Sequence, residues 1–126
     1  MTTRSKERTE FLGDVVICIA EDYGYNSWRQ VSAYHWSDEH PENNRVTVHE
    51  LADLEDEPDI SVHKVTIETV ATGIARILAD GNPIGLNSAV RKAVFIGSQE
   101  NDAGEIDAEV ADCILQAAIF DEYRYG

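Results

Sequence analysis

Among the side chains of this sequence that can do chemistry near neutral pH, the imidazoles come first. His35, His40, His49 and His63 all fall in one stretch of the chain, and histidine is both a common metal ligand and the usual proton carrier. If the segments that hold them pair as neighbouring strands, two can face each other, and His35, Asp38 and His40 can crowd one turn. A metal centre needs short spacing or convergence on one face, with hydrogen bonds that orient the ligands. The spacing shows neither. The four read as surface or half-buried histidines, and neither a metal nor any other cofactor is expected.

The run Gln99 to Val110 superficially matches a calcium loop. With Gly104 at the required sixth position, Gln99, Ala103 and Val110 occupy the first, fifth and twelfth ligand positions, and none suits calcium. An acidic turn leading into an N-capped helix explains these residues better. No GxSxG, HExxH or GxxxxGK[ST] motif is present. Carboxylate pairs mean little in a chain with 24 acids, so no catalytic residue is assigned from spacing. Cys18 and Cys113 lie in apolar stretches without a CxxC motif and read as two buried free thiols.

Aromatic residues form a second candidate. Tyr23, Tyr25, Trp28, Tyr34 and Trp36 are five of the ten in the chain. The plain reading makes Trp28, Tyr34 and Trp36 the core face of a strand. The alternative is an exposed platform of Tyr25, Asn26, Trp28, Tyr34 and Trp36 for a partner protein or a flat ligand. Base stacking would call for nearby cations, and only Arg29 is close.

Charge is the third feature. The chain has 126 residues and a formal charge of −14, which disfavours nucleic acid and anionic membranes as direct partners. Residues 37–59 hold nine acids against Arg45 alone, and residues 99–126 hold eight against Arg124 alone. The plain reading is solubility. The sharper one is an acidic surface for a basic partner, built from Asp53, Glu55, Asp56, Glu57 and Asp59 with Asp102, Glu105, Asp107 and Glu109.

These residues need elements to hold them. A length of 126 residues suits one domain, spanning 1–126 with 1–8 frayed. Phe11, Leu12, Val15, Val16 and Ile19 define one helical face, predicting a helix from about Thr9 to Asp22 that ends near Gly24. Strands are predicted at Ser27–Trp36, Arg45–Leu51 and Ile60–Val65, forming an antiparallel meander. In the first, the even positions from Trp28 to Trp36 make the aromatic face. Period 3.6 then takes over. Thr66 caps a helix that runs to a stop at Asp80-Gly81-Asn82-Pro83, another starts near Asn87, and Asp107 caps a last one through Phe120. The fold class is α+β: an N-terminal helix, a three-stranded meander, and three C-terminal helices packed on the sheet. No apolar run approaches membrane-span length, and neither a secretory signal nor a linker is evident.

Several segments carry a resemblance. Gly24-Tyr25-Asn26-Ser27-Trp28, Thr66 through Leu78, Asn101 through Asp112, and the ending Phe120-Asp121-Glu122-Tyr123-Arg124-Tyr125-Gly126 resemble a family of small acidic proteins of actinobacterial bacteriophages and mobile elements. The likeness runs from about residue 11 to the end. It implies a setting, a phage accessory protein in the host cytoplasm, and brings no established activity or catalytic residue. The expected function is therefore a non-enzymatic protein that modulates a host or defence protein with a basic surface. One alternative is a nucleic-acid mimic that inhibits a DNA- or RNA-binding enzyme. The other is a small-molecule binder or enzyme at the aromatic strand. The last helix, apolar over Cys113–Phe120 beyond one stripe, also fits a homodimer contact.

Overall fold

A computed structural model describes residues 4–21, 27–54, 56–79 and 86–125. Helix α1 spans Lys6–Ala20, strands β1, β2 and β3 span Arg29–His35, Arg45–Glu50 and Ser61–Thr66, and helices α2, α3 and α4 span Ile67–Leu78, Ser88–Glu100 and Ala108–Phe120. The architecture is the expected α+β order. Its boundaries follow local chemistry. The Ser5 hydroxyl accepts from Arg8 N at 3.1 Å and starts α1 earlier than the apolar pattern suggested, inside the stretch expected to fray. The helix closes at Glu21, whose N–H reaches Ile17 O; the expected stop at Gly24 lies outside the described residues. Asn87 Oδ1 accepts from Val90 N at 2.9 Å and Asp107 Oδ1 from Val110 N at 2.8 Å, so α3 and α4 both start on side-chain N-caps, of which Asp107 is the expected one. Thr66 precedes α2, and its N–H donates to Thr69 Oγ1 at 3.0 Å. The predicted stop at Asp80 to Pro83 lies outside the described residues; α2 ends at Leu78 with Ala79 extended.

The sheet is an antiparallel meander in the order β1-β2-β3. Val46 pairs with Val65, Val48 with His63 and Glu50 with Ser61. Directly paired residues share a face, and Val46, Val48, Glu50 and Val65 are buried, so this is the face the helices cover. Phe11, Leu12, Val15, Val16 and Ile19 from α1 and Val70, Ile74 and Ile77 from α2 join the valines and Ile114 and Leu115 of α4 in one core. Gly73 lets α2 lie directly on α4: a Cβ there would stand 2.2 Å from Ile114 O. Arg76 then donates to Ala117 O at 3.0 Å and Ala118 O at 2.6 Å, meeting carbonyls that the end of α4 leaves over.

Two expectations change here. The aromatic face of β1 is not continuous. The register with β2 passes from Ser32↔Thr47 to His35↔Arg45, so three steps on β1 span two on β2. Ala33 takes up the extra residue with φ 51°, a β-bulge that reverses the alternation beyond it. Tyr34 consequently packs against the core, while Trp36 is 51% exposed. Helix α4 is buried from Val110 through Ala117 on every side. The apolar breadth that suggested a self-contact is therefore taken up largely within the chain.

Candidate functional site

The β2–β3 connection carries the first group of predicted site residues. Asp53, Asp56, Glu57 and Asp59 are exposed, and Glu55 lies outside the described residues. Glu57 N donates to Leu54 O at 3.1 Å and Ile60 N to Glu50 O at 2.8 Å, so the connection is tied down at both its turn and its exit. Leu54, Ile60 and Val62 stand out among these acids, each more than half exposed. Exposed apolar side chains set among charges are the composition of a contact surface.

The second acidic group is partly committed elsewhere. Asp107 caps α4, and Asp102 Oδ1 accepts from Gly104 N at 2.8 Å. Glu105 and Glu109 are exposed. No hydrogen bond or ion pair among the described residues joins this group to the β2–β3 connection.

Among the described residues, the predicted aromatic platform does not form one exposed surface. Tyr25 and Asn26 lie outside the described residues. Trp28 is 8% exposed and is stacked under Tyr125, with ring centroids 4.9 Å apart and planes 5° from parallel. Tyr34 is half-buried and Trp36 exposed. Trp28 and Tyr34 both pack on the core, while Trp36, past the end of β1, does not join them.

That tail anchors a polar network absent from the sequence reading. Gln116, fully buried, donates to Asp112 Oδ2 at 2.7 Å and Tyr125 O at 2.8 Å, and accepts from Arg124 N and Tyr125 N, each at 2.8 Å. Asp112 also receives Trp28 Nε1 at 3.0 Å and Arg29 Nε at 3.2 Å. Burial pushes the Asp112 carboxyl up against the opposing pull of Gln116, Arg29 and Trp28. The Tyr125 hydroxyl donates to Glu50, which accepts from Ser61 Oγ at 2.7 Å and pairs with Arg124 at 3.5 Å. Burial pushes Glu50 up, but these hydroxyls and the guanidinium outweigh it and hold the carboxyl below its ordinary value. Every member is accounted for by closing the tail over the sheet, so the network is read as architecture. The sequence did hold a signal: Glu50 has the parity of Val46 and Val48, and Asp112 and Gln116 stand i, i+4 within a buried helix.

The thiols differ. Cys113 is buried, and burial pushes its thiol up to about 12. Cys18 is only half-buried, correcting the expectation of two buried thiols, with burial again raising its value. Neither environment favours the reactive thiolate.

The histidines do not face one another as pairs. His63 lies on the helix-covered face and His49 on the opposite one, because His63 pairs with Val48 and His49 with Val62. His40 Nδ1 sits 3.1 Å from Glu42. No cluster suited to a metal occurs among the described residues. His49 is placed differently. Its Nδ1 is 2.8 Å from Asp59 Oδ2 and its Nε2 is 2.7 Å from Ser32 Oγ. These three come from the β2–β3 connection, β2 and β1, and meet on the sheet face that carries no helix. Spacing gave no hint of this meeting, since only the strand register creates it. No helix among the described residues is long and apolar enough to cross a membrane. Comparison with family models, curated proteins and solved structures finds no match to the chain.

Proposed function

We propose that this chain is an accessory protein of phage type that binds a host or defence protein through the acidic β2–β3 connection. One observation supports the reading most directly. Exposed Leu54 and Ile60 sit among Asp53, Asp56, Glu57 and Asp59 on one tethered segment, and exposed Val62 follows in β3. Such a surface suits a partner with an apolar centre and a basic rim, where charge steers the encounter and the apolar contact slows release. No side-chain hydrogen bond or ion pair ties Asp53, Asp56 or Glu57 to another described residue, so these carboxylates are free to meet external cations. Binding of this kind requires no chemistry from the chain.

The test is capture from host lysate with the wild type and with the triple variant Asp53→Lys, Asp56→Lys, Glu57→Lys. A specific protein should be retained by the wild type and lost by the variant. Retention should also weaken with salt, since the Debye length falls from about 8 Å at 0.15 M to about 3 Å at 1 M. A partner that the triple variant holds equally well at both salt concentrations refutes the assignment of this segment.

A further inference from the structure

We propose that Ser32 is a nucleophile activated by His49, with Asp59 as the positioning residue, and that it accepts acyl groups from neutral or cationic esters. The geometry carries this. In the neutral imidazole one nitrogen donates and the other accepts. A carboxylate at Nδ1, 2.8 Å away, places the hydrogen there. Nε2 then faces Ser32 Oγ at 2.7 Å as an acceptor. That is the order of contacts by which a positioned base takes a hydroxyl proton.

Two further observations bear on the same point. Ala33, next to the serine, has φ 51°, a left-handed conformation that an L-residue with a Cβ rarely adopts. Strain of this kind concentrates where a side chain must be aimed. Of the three relay residues, Asp59 also lines an open cleft of about 490 Å³, together with Gln30, Leu51, Asp53, Leu54 and Glu57, while Ser32 and His49 lie outside its lining. Its size falls in the range of small-molecule sites, roughly 300–1,000 Å³. Its carboxylates disfavour anionic substrates, which sets the substrate class. The fold offers a contrast in Ser61, whose Oγ is also 2.7 Å from an imidazole nitrogen, His63 Nε2. Ser61, however, donates its hydrogen to Glu50, so it is not activated.

The chemistry balances without a co-reactant other than water. Ser32 Oγ bonds to the ester carbonyl carbon as its proton passes to His49 Nε2. The carbon–oxygen bond to the leaving alcohol breaks, and the alcohol departs with that proton. Water then attacks the acyl-serine, again giving a proton to His49 and returning it to Ser32 as the acid leaves. Asp59 keeps the imidazole in the required tautomer throughout.

A fluorophosphonate probe followed by intact mass and peptide mapping tests the serine, and p-nitrophenyl esters test the substrate class. One adduct, on Ser32, is expected, with none on Ser61. Ser32→Ala should abolish it, and because Ser32 is an exposed strand residue, an unchanged melting temperature in that variant isolates the chemistry. His49→Gln should slow labelling at least about a hundredfold, the lower end of the usual worth of a positioned base. Asp59→Asn should also slow it, and Asp59→Glu should recover most of the rate, which a merely structural role would not predict. Neutral p-nitrophenyl acetate should react roughly tenfold faster at low salt than the anionic hemisuccinate ester, the lower end of electrostatic steering. Absence of an adduct under excess probe, or an adduct that survives Ser32→Ala, overturns the proposal. Equal rates for the two esters overturn the substrate class. Neither result bears on the partner-capture experiment, whose three substitutions leave Ser32, His49 and Asp59 in place.

Discussion

Gln116→Leu isolates the device that closes the C-terminal tail over the sheet. The side chain is fully buried and makes four hydrogen bonds, three of them to the backbone of Arg124 and Tyr125. Leucine has similar bulk and makes none. At about 1 kcal/mol net for each bond the gross loss is about 4 kcal/mol. The tail groups are only part-buried and can return to water once released, so roughly half of their share is recovered. Asp112 keeps Trp28 and Arg29, which limits the cost on that side. A net loss of about 2–3 kcal/mol follows, or about 10 °C in melting temperature for a chain of this length. Urea unfolding followed by far-ultraviolet circular dichroism measures it. The sharper readout is a cycle with a chain ending at Glu122, which lacks three of the four partners. On that background Gln116→Leu should cost only about 1 kcal/mol, the bond to Asp112. An equal cost in both chains, or a loss below about 0.5 kcal/mol in the full one, refutes the view that Gln116 fastens the tail.

Two more substitutions probe the fold and its pH response. Gly73→Ala sets a methyl 2.2 Å from Ile114 O, a backbone atom that cannot swing aside, so α2 and α4 must part. A loss of about 2 kcal/mol is expected by chemical denaturation despite the better helix propensity of alanine, and a stabilised variant would show that the two helices do not meet at this glycine. Glu50, although burial alone would raise it, is held low by Tyr125, Ser61 and Arg124. A depressed carboxyl contributes stability that is fully present above about pH 4.3, the ordinary glutamate value, and is lost as pH falls through the folded-state value. The stability difference between wild type and Glu50→Gln should accordingly shrink between pH 7 and pH 3, and a difference independent of pH would remove Glu50 from the acid response.

The elements were legible where short-range chemistry decides them. Asp107 acts as the cap its position suggests, α3 starts beside Asn87, and Val46 and Val48 lie on the core side as their alternation requires. Where long-range placement decides, the sequence was silent. Alternation in β1 predicts one aromatic face, but a single inserted residue at Ala33 moves Tyr34 to the core side, and the strand ends at His35, which leaves Trp36 outside it and in solvent. Trp28 is buried by Tyr125, almost the whole chain away. The Ser32–His49–Asp59 contact was equally invisible, because a Ser–His–Asp arrangement is defined by convergence in space and has no fixed spacing. Only the register of β1 on β2, with the exit of the β2–β3 connection beside it, brings the three together.

The net charge of −14 divides by what each carboxylate does in the fold. Glu50 and Asp112 are interior and fasten strand, helix and tail to one another. Asp102 and Asp107 meet backbone N–H groups around the start of α4, where negative charge also complements the helix dipole. Their acidity is thus explained without a partner. Asp53, Asp56 and Glu57 have no such duty, and they share their segment with exposed Leu54 and Ile60. A directed surface therefore needs the β2–β3 connection alone and does not require the two acidic stretches to meet. Asp59 differs from its neighbours because His49 already engages it. Reversing it would perturb the imidazole as well as the surface, and so the capture variant leaves it unchanged. If the triple reversal abolishes capture while Ser32 still labels at the wild-type rate, surface and relay are separate properties of one sheet. If both fail together in a variant that melts normally, the cleft carboxylates assist the relay and the two functions are coupled.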